Sequence, residues 1–202
     1  MSLFRHIFVA LAASSLTIGL SACKDVNSNT SQSKSTAFPT NAASLEASLK
    51  VRLDEFESIF ESGKISKLFD FTPPKVLSSI LGGSNVTRDQ LDSQIDQVWE
   101  MTMQTVEINA FDIDRTARDV EFLTSGRPYK ILPTSVAMKI KGNGSEIISK
   151  SETLALIEDG KWYIVRLDEP SQVKIFMETY PEFDSVDVMA PVMTMDGEEI
   201  TP

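Results

Sequence analysis

The sequence predicts an α+β domain, with N-terminal helices packed on a curved, cone-like antiparallel sheet and a short helix near the C-terminus. Three observations predict it. Apolar residues recur at helical spacing from Leu45 to Trp99, the period changes to two from Thr105, and Gly- and Asp-containing turns then separate long strand-like runs. Helices followed by a meander is the order expected when helices cover one face of an antiparallel sheet, rather than that of alternating βαβ units.

The folded body, residues 44–181, begins near Ser44. Leu45, Leu49, Leu53, Phe56 and Phe60 share one helical face, with Glu46, Lys50, Arg52 and Glu57 opposite, and Gly63 supplies the stop. Thr72-Pro73-Pro74 reads as an N-cap with proline at the first helical position, opening a short helix that ends at Gly82-Gly83. A third helix opens at Thr87, where Gln90 completes a capping box; its apolar face is Leu91, Ile95, Val98 and Trp99, and it runs to about Met103.

Val106, Ile108 and Ala110 then alternate with Glu107 and Asn109, as in a half-buried strand. Phe111 and Ile113 are out of phase with them, which predicts a bulge or a change of face. A weaker strand signal covers residues 116–122. Residues 129–141 form a strand whose Pro133 confines its first part to an edge or bulge. Gly142-Asn143-Gly144 turns it into a strand over 146–158, and Asp159-Gly160 makes a tight turn into 161–167. The shared core should draw on Val136, Met138, Ile140, Leu154, Leu156, Trp162 and Ile164. Pro170 opens a short helix with Val173, Phe176 and Tyr180 on one face, stopped by Pro181. Residues 182–202 hold six acids and no Lys or Arg, the composition of a solvated, disordered tail.

Upstream of the body, residues 1–22 have the three parts of a secretory signal: Arg5 and His6, an apolar run of about 14 residues from Ile7 to Leu20, and small residues to close it. That run falls short of the roughly 20 residues needed to span a bilayer. Leu20-Ser21-Ala22-Cys23 resembles the lipobox of bacterial lipoproteins. The resemblance implies cleavage between Ala22 and Cys23, a diacylglyceryl group on the Cys23 sulfur and a fatty acyl group, commonly palmitate, on its new amino group. Several acyl chains exceed the two-signal threshold for stable anchoring, at about 0.8 kcal/mol per buried methylene. Lys24 follows the cysteine; in enteric members of that family Asp at this position favours the inner membrane, so the expectation is the outer membrane, facing the periplasm. Residues 24–43 are rich in Ser, Thr, Asn and Gln and read as a flexible tether with an r.m.s. reach of roughly 25 Å.

About 180 residues remain after cleavage, enough for one domain with its own core. The signal removes one basic residue and none of the 29 acids, so the mature chain is more negative than the −10 of the full sequence. That balance argues against nucleic acid and against lying flat on anionic headgroups. The single cysteine is Cys23 and the single histidine is His6. With one acylated and the other cleaved off, the mature protein has neither free thiol nor imidazole, which removes Ser-His-Asp and Cys-His chemistry and most zinc sites. No cofactor is implied.

The body as a whole is similar to the nuclear transport factor two-like superfamily, which includes ketosteroid isomerase and scytalone dehydratase. The matching features are the long first helix ending at Gly63, the later helix carrying Trp99, and the hairpin from Glu158-Asp159-Gly160-Lys161-Trp162 to Val165. The resemblance implies a pocket between helices and concave sheet that takes small apolar ligands. The catalytic residues of those enzymes do not carry over, since the body from Ser44 onward has no histidine and its first helix has no tyrosine.

Four residues are candidates for such a pocket. Trp99 and Tyr163, with Trp162 beside it, could line an apolar cavity, or simply fill the core, which is commoner. Arg166 could hold an anionic ligand if buried, or pair across strands with Glu152 beside Lys150. Asp112, with Asp114 two residues on, could share a face for a hard cation or acid–base work, or form a solvated strand end. Met189, Met193 and Met195 could suit a soft metal, but no Cys or His supports them. The expected function is therefore a membrane-anchored envelope lipoprotein whose non-catalytic domain binds a small apolar ligand or an envelope protein. The alternative is an isomerase- or dehydratase-like enzyme using a buried Asp and Tyr in the pocket.

Overall fold

The computed structural model describes residues 41–82, 86–168 and 170–200. Helix α1 (Ala42–Glu61) starts where Asn41 accepts hydrogen bonds from the backbone N–H groups of Ala43 (3.1 Å) and Ser44 (3.4 Å). The body thus begins a few residues before 44, inside the segment read as tether, because the cap lies outside the apolar stripe that marks a helix in sequence. Leu45, Leu49, Leu53, Phe56 and Phe60 are all buried along the predicted face, each burial contributing about 1.5–3 kcal/mol before entropy is counted. The helix ends at Gly63, whose φ of +72° is a conformation that side chains resist.

A 3₁₀ segment, Ile65–Phe71, follows and has no periodic signal in the sequence. It is held by specific contacts instead. Asp96 accepts from the Ser66 N–H (3.0 Å) and hydroxyl (2.9 Å), and the Arg52 guanidinium stacks 3.5 Å over the Phe71 ring. Helix α2 (Pro74–Gly82) opens on proline, the Pro73 carbonyl taking its first bond from Leu77 N–H. Helix α3 (Arg88–Thr105) carries the complete Thr87–Gln90 capping box.

The sheet contains β1 (Val106–Ile113), β2 (Glu121–Phe122), β3 (Pro128–Ile140), β4 (Glu146–Glu158), β5 (Lys161–Arg166), β6 (Val192–Met195) and β7 (Glu198–Ile200). It is antiparallel and open, in the order β1-β3-β4-β6-β7, with β2 on β3 and β5 on β4. The expected bulge lies between Ile108 and Ala110 in the β1–β3 register. Pro133 sits where β1 has ended: its carbonyl accepts from the Asp114 N–H (2.8 Å) just past the last β1 pair, so its missing N–H faces a side with no ladder to complete.

Both faces of the sheet are covered. Leu132, Ala155, Ile157, Trp162 and Ile164 pack under α1, whereas Ile131, Leu154, Leu156 and Val165 pack with Phe176 of helix α4 (Pro170–Thr179) and with Tyr180 and Phe183 just beyond it. The residues expected to share one core are therefore divided: Trp162 and Ile164 join the first cluster, Leu154 and Leu156 the second on the opposite face, as strand alternation requires, and Val136 and Met138, with Ile140 beside them, a third.

The reading of residues 182–202 as a disordered tail is corrected over the residues described. Phe183 is fully buried in the second core, and β6 and β7 extend the sheet beside β4. The two acids of β7, Glu198 and Glu199, are both exposed, which is why composition misled. Asp196 (φ 51°) and Gly197 (φ 87°) form the same kind of turn as Asp159-Gly160.

Candidate functional site

A cavity of about 250 Å³ lies between the helices and the sheet. Phe56 and Phe60 come from α1, Ile65, Leu68 and Phe69 from the 3₁₀ segment, and Ile95, Val98, Trp99 and Met103 from α3. The floor is Val106 and Ile108 of β1, Val136 and Met138 of β3, and Ile164 of β5. Phe60 stacks on Phe111 and meets Trp99 edge-on at 5.9 Å, which stiffens one wall. Ile95, Val98 and Trp99, the expected buried face of α3, are only half-buried because they border this space rather than a filled core.

The polar groups gather at one end, where β5 runs out and α4 begins. Arg166, Asp168, Ser171 and Gln172 line that end. The Arg166 Nη2 donates to Asp168 Oδ2, with the two side chains 19% and 7% exposed. With its amide oriented to suit its neighbours, Gln172 Nε2 donates to Asp168 Oδ1 (3.2 Å) and to the Arg166 carbonyl oxygen (3.0 Å). The buried Nε of Arg166 has no hydrogen-bond partner among the described residues. On the far wall the Thr102 hydroxyl donates to the Val98 carbonyl (2.9 Å). The cavity is thus a partly open, largely apolar hollow with one charged but internally neutralised end.

Trp99 and Arg166 are brought together in this cavity; Tyr163 and Asp112 are not. Tyr163 pairs in register with Leu156 and so shares the opposite face, toward α4. Trp162 lies on the cavity's face but under α1, its Nε1 donating to Ser48 Oγ (2.9 Å). Asp112 is exposed on β1, and Asp114 accepts from the Thr116 N–H (2.9 Å) and hydroxyl (2.8 Å), which hold its carboxyl below the usual range. Among the described residues no group of three or more His, Cys, Asp or Glu is placed to hold a metal. Glu152 does not pair with Arg166: it is buried on the other face, bonded to Arg118 (3.0 Å) and the Met189 N–H (2.7 Å). Met193 and Met195 pack against the cluster of Val106, Val136, Met138 and Ile147, where Met195 pairs in register with Ile147. Cys23 and Ala22 lie outside the described residues. No helix among the described residues is long and apolar enough to cross a membrane.

Sequence reasoning missed Asp168, Gln172 and the 3₁₀ wall. The first was within reach, because alternation continued beyond β5 carries Ile164, Arg166 and position 168 to one side. The 3₁₀ wall left no periodic trace.

The second core carries its own polar knot. Glu158 Oε1 meets Lys75 Nζ (2.7 Å) and Oε2 accepts from the Tyr180 hydroxyl (2.6 Å). Burial works to raise the Glu158 carboxyl, but the bonds from Lys75 and Tyr180 outweigh it and hold it below its ordinary value. Burial, then the Glu158 bond, push the Tyr180 hydroxyl up. This cluster joins α2, β4 and the residue that follows α4, and none of its three members lines the cavity.

No protein-family model, curated protein or solved structure matches this chain.

Proposed function

We propose that the protein is a lipid-anchored lipoprotein of the bacterial envelope, held through Cys23 in the outer membrane, whose domain binds a small, mostly apolar ligand in the cavity between α3 and the sheet. The observation that carries the binding reading is the hollow itself: a largely apolar space ending in Arg166, Asp168 and Gln172. Ligand sites are generally apolar hollows with a few placed polar groups, and at about 250 Å³ this one is slightly smaller than is usual for them. The anchor rests on Leu20-Ser21-Ala22-Cys23 and the short apolar run before it.

Two experiments test the two halves. Intact-mass analysis of membrane-purified protein should show loss of residues 1–22 and added acyl mass, and Cys23→Ser should release the protein from membranes; an unacylated native chain refutes the anchor. Solvent extraction of purified protein followed by mass spectrometry should yield a stoichiometric small molecule that is lost when Val98→Phe narrows the cavity. Equal recovery from both proteins refutes the cavity as the site.

An isomerase or dehydratase reading has one observation in its favour, the carboxylate of Asp168 in the lining. Both its oxygens are already engaged by Arg166 and Gln172, and no tyrosine stands beside it among the described lining residues. Binding without chemistry is the better-supported reading.

A further inference from the structure

Resting on the hollow as the ligand site, we infer that its ligand is built on a single unbranched hydrocarbon chain, the acyl or alkyl chain of a lipid, and not on a branched or fused-ring skeleton. The register of the sheet measures the hollow. Ile108 of β1 stands opposite Met138 of β3, and Met138 opposite Ile147 of β4. Arg166 of β5 stands opposite Thr153, six residues further along β4. Ile108 and Arg166 both line the hollow, so the lining spans about 20 Å along the strands, at about 3.3 Å per residue. It also draws on all three apolar clusters: Met138 from the one beside β6, Ile164 from the one under α1, and Val76 from the one packed with α4. A pocket within one cluster would be compact, whereas one bordered by three in turn is drawn out.

Volume then fixes the width. About 250 Å³ spread over about 20 Å leaves a section of about 12 Å², roughly 3.5 Å across, the spacing at which carbon atoms touch. That admits one file of methylene groups and resists a methyl branch. The walls do not widen freely, because Phe60 stacks on Phe111 at 4.1 Å and meets Trp99 edge-on at 5.9 Å, and close-packed side chains yield little to added volume. On the far wall the Thr102 hydroxyl is committed to the Val98 carbonyl (2.9 Å), which suits a neighbour without polar groups. At the polar end Arg166, Asp168, Ser171 and Gln172 hold donors and acceptors together. That end tolerates more than one kind of head group, so the selection is by the shape of the chain. Each methylene that enters should strengthen binding about fourfold, the equivalent of about 0.8 kcal/mol.

The test titrates two isomeric ten-carbon alcohols, decan-1-ol and the branched 3,7-dimethyloctan-1-ol, into the full chain carrying Cys23→Ser at neutral pH, so that no detergent competes for them. They share one formula and nearly one apolar area, so a preference between them reports shape. The readout is the indole N–H resonance of Trp99, which lines the hollow, with that of Trp162, which does not, as internal control. Decan-1-ol should bind at least tenfold more tightly than its isomer. Val98→Ala, which widens the channel, should bring the two to within about threefold. Equal affinities in the parent, or a ratio that Val98→Ala leaves unchanged, overturn the single-chain inference while the hollow stays a binding site. Solvent extraction of protein purified from membranes, read by mass spectrometry, tells a free fatty acid or alcohol from a glycerol ester. Either carries the unbranched chain, and a branched or fused-ring compound recovered in stoichiometric amount overturns the inference. Failure of both alcohols to move Trp99 overturns the cavity reading and this inference with it.

Discussion

Lys130 is a buried cation whose dependence on one partner can be measured. It lies on β3 under α1, 3% exposed, and its Nζ donates to both carboxylate oxygens of Glu46 at 2.9 and 2.8 Å. Glu46 also accepts from the Val120 N–H at 3.2 Å, so one side chain ties α1 to the sheet and to the approach to β2. Glu46→Ala leaves an ammonium group enclosed without a counter-charge. Breaking a buried pair on one side costs about 3–5 kcal/mol. The Glu46 side chain is 40% exposed, so water reaches the site and the expected loss is at the lower end, about 3 kcal/mol. Lys130→Met leaves only a partly solvated carboxylate and should cost about 1 kcal/mol. The double variant should be close to Lys130→Met alone, because no orphaned cation remains. Urea denaturation followed by circular dichroism reads this directly: with a slope of about 2 kcal/mol per molar urea, Glu46→Ala should lower the midpoint by about 1.5 M. A loss below about 1 kcal/mol, or a double variant as unstable as Glu46→Ala, refutes the claim that the buried cation depends on this pair.

Three further outcomes follow from the structure. Gly63→Ala places a Cβ at positive φ and 3.3 Å from Trp99 Nε1, so it should lose about 1–2 kcal/mol and shift the Trp99 indole resonance; an unshifted resonance refutes the contact. Val98→Phe, which fills part of the cavity, should raise the melting temperature by a few degrees, consistent with gains of about 0.5–2 kcal/mol for filled cavities; thermal unfolding at a lower temperature than the parent refutes the cavity as unfilled space. Glu158 has a folded-state carboxyl below its ordinary 4.5, so its contribution is fully present above that value and is lost as pH falls through the lowered one. Glu158→Gln should therefore be less stable than the parent at pH 7 by about 1–3 kcal/mol, and the gap should close on acidification below the ordinary value; a gap that persists undiminished in acid, measured by urea midpoints, refutes the assignment.

How legible the molecule was depends on the range of the interactions involved. Helices α1 and α3, the Asp159-Gly160 hairpin and the β1 bulge are all written in residues a few positions apart, and the structure has each of them. The acidic segment shows the opposite case. Its charges suggested solvation, but Phe183 and the β6 strand find partners in β4 and α4 that composition does not reveal, and only Asp196-Gly197 hinted at the hairpin. In the cavity, Trp99 and Arg166 were identifiable as candidates by residue type. Tyr163 failed because an adjacent strand residue points the other way, a rule available from sequence once the register of Trp162 is chosen.

By itself the sequence determined the order of the helices α1 to α4 and of the long strands β1, β3, β4 and β5, the Thr87–Gln90 capping box and the turns between those long strands. Those depend on chemistry within one turn or one hairpin. Tertiary structure decided which face of β5 meets α1, that Arg166 is neutralised by Asp168, and that α3 borders a hollow instead of closing on the sheet. Such choices rest on contacts between distant segments, as when Trp162 donates to Ser48 across 114 residues, and no local pattern encodes where two faces will fail to touch.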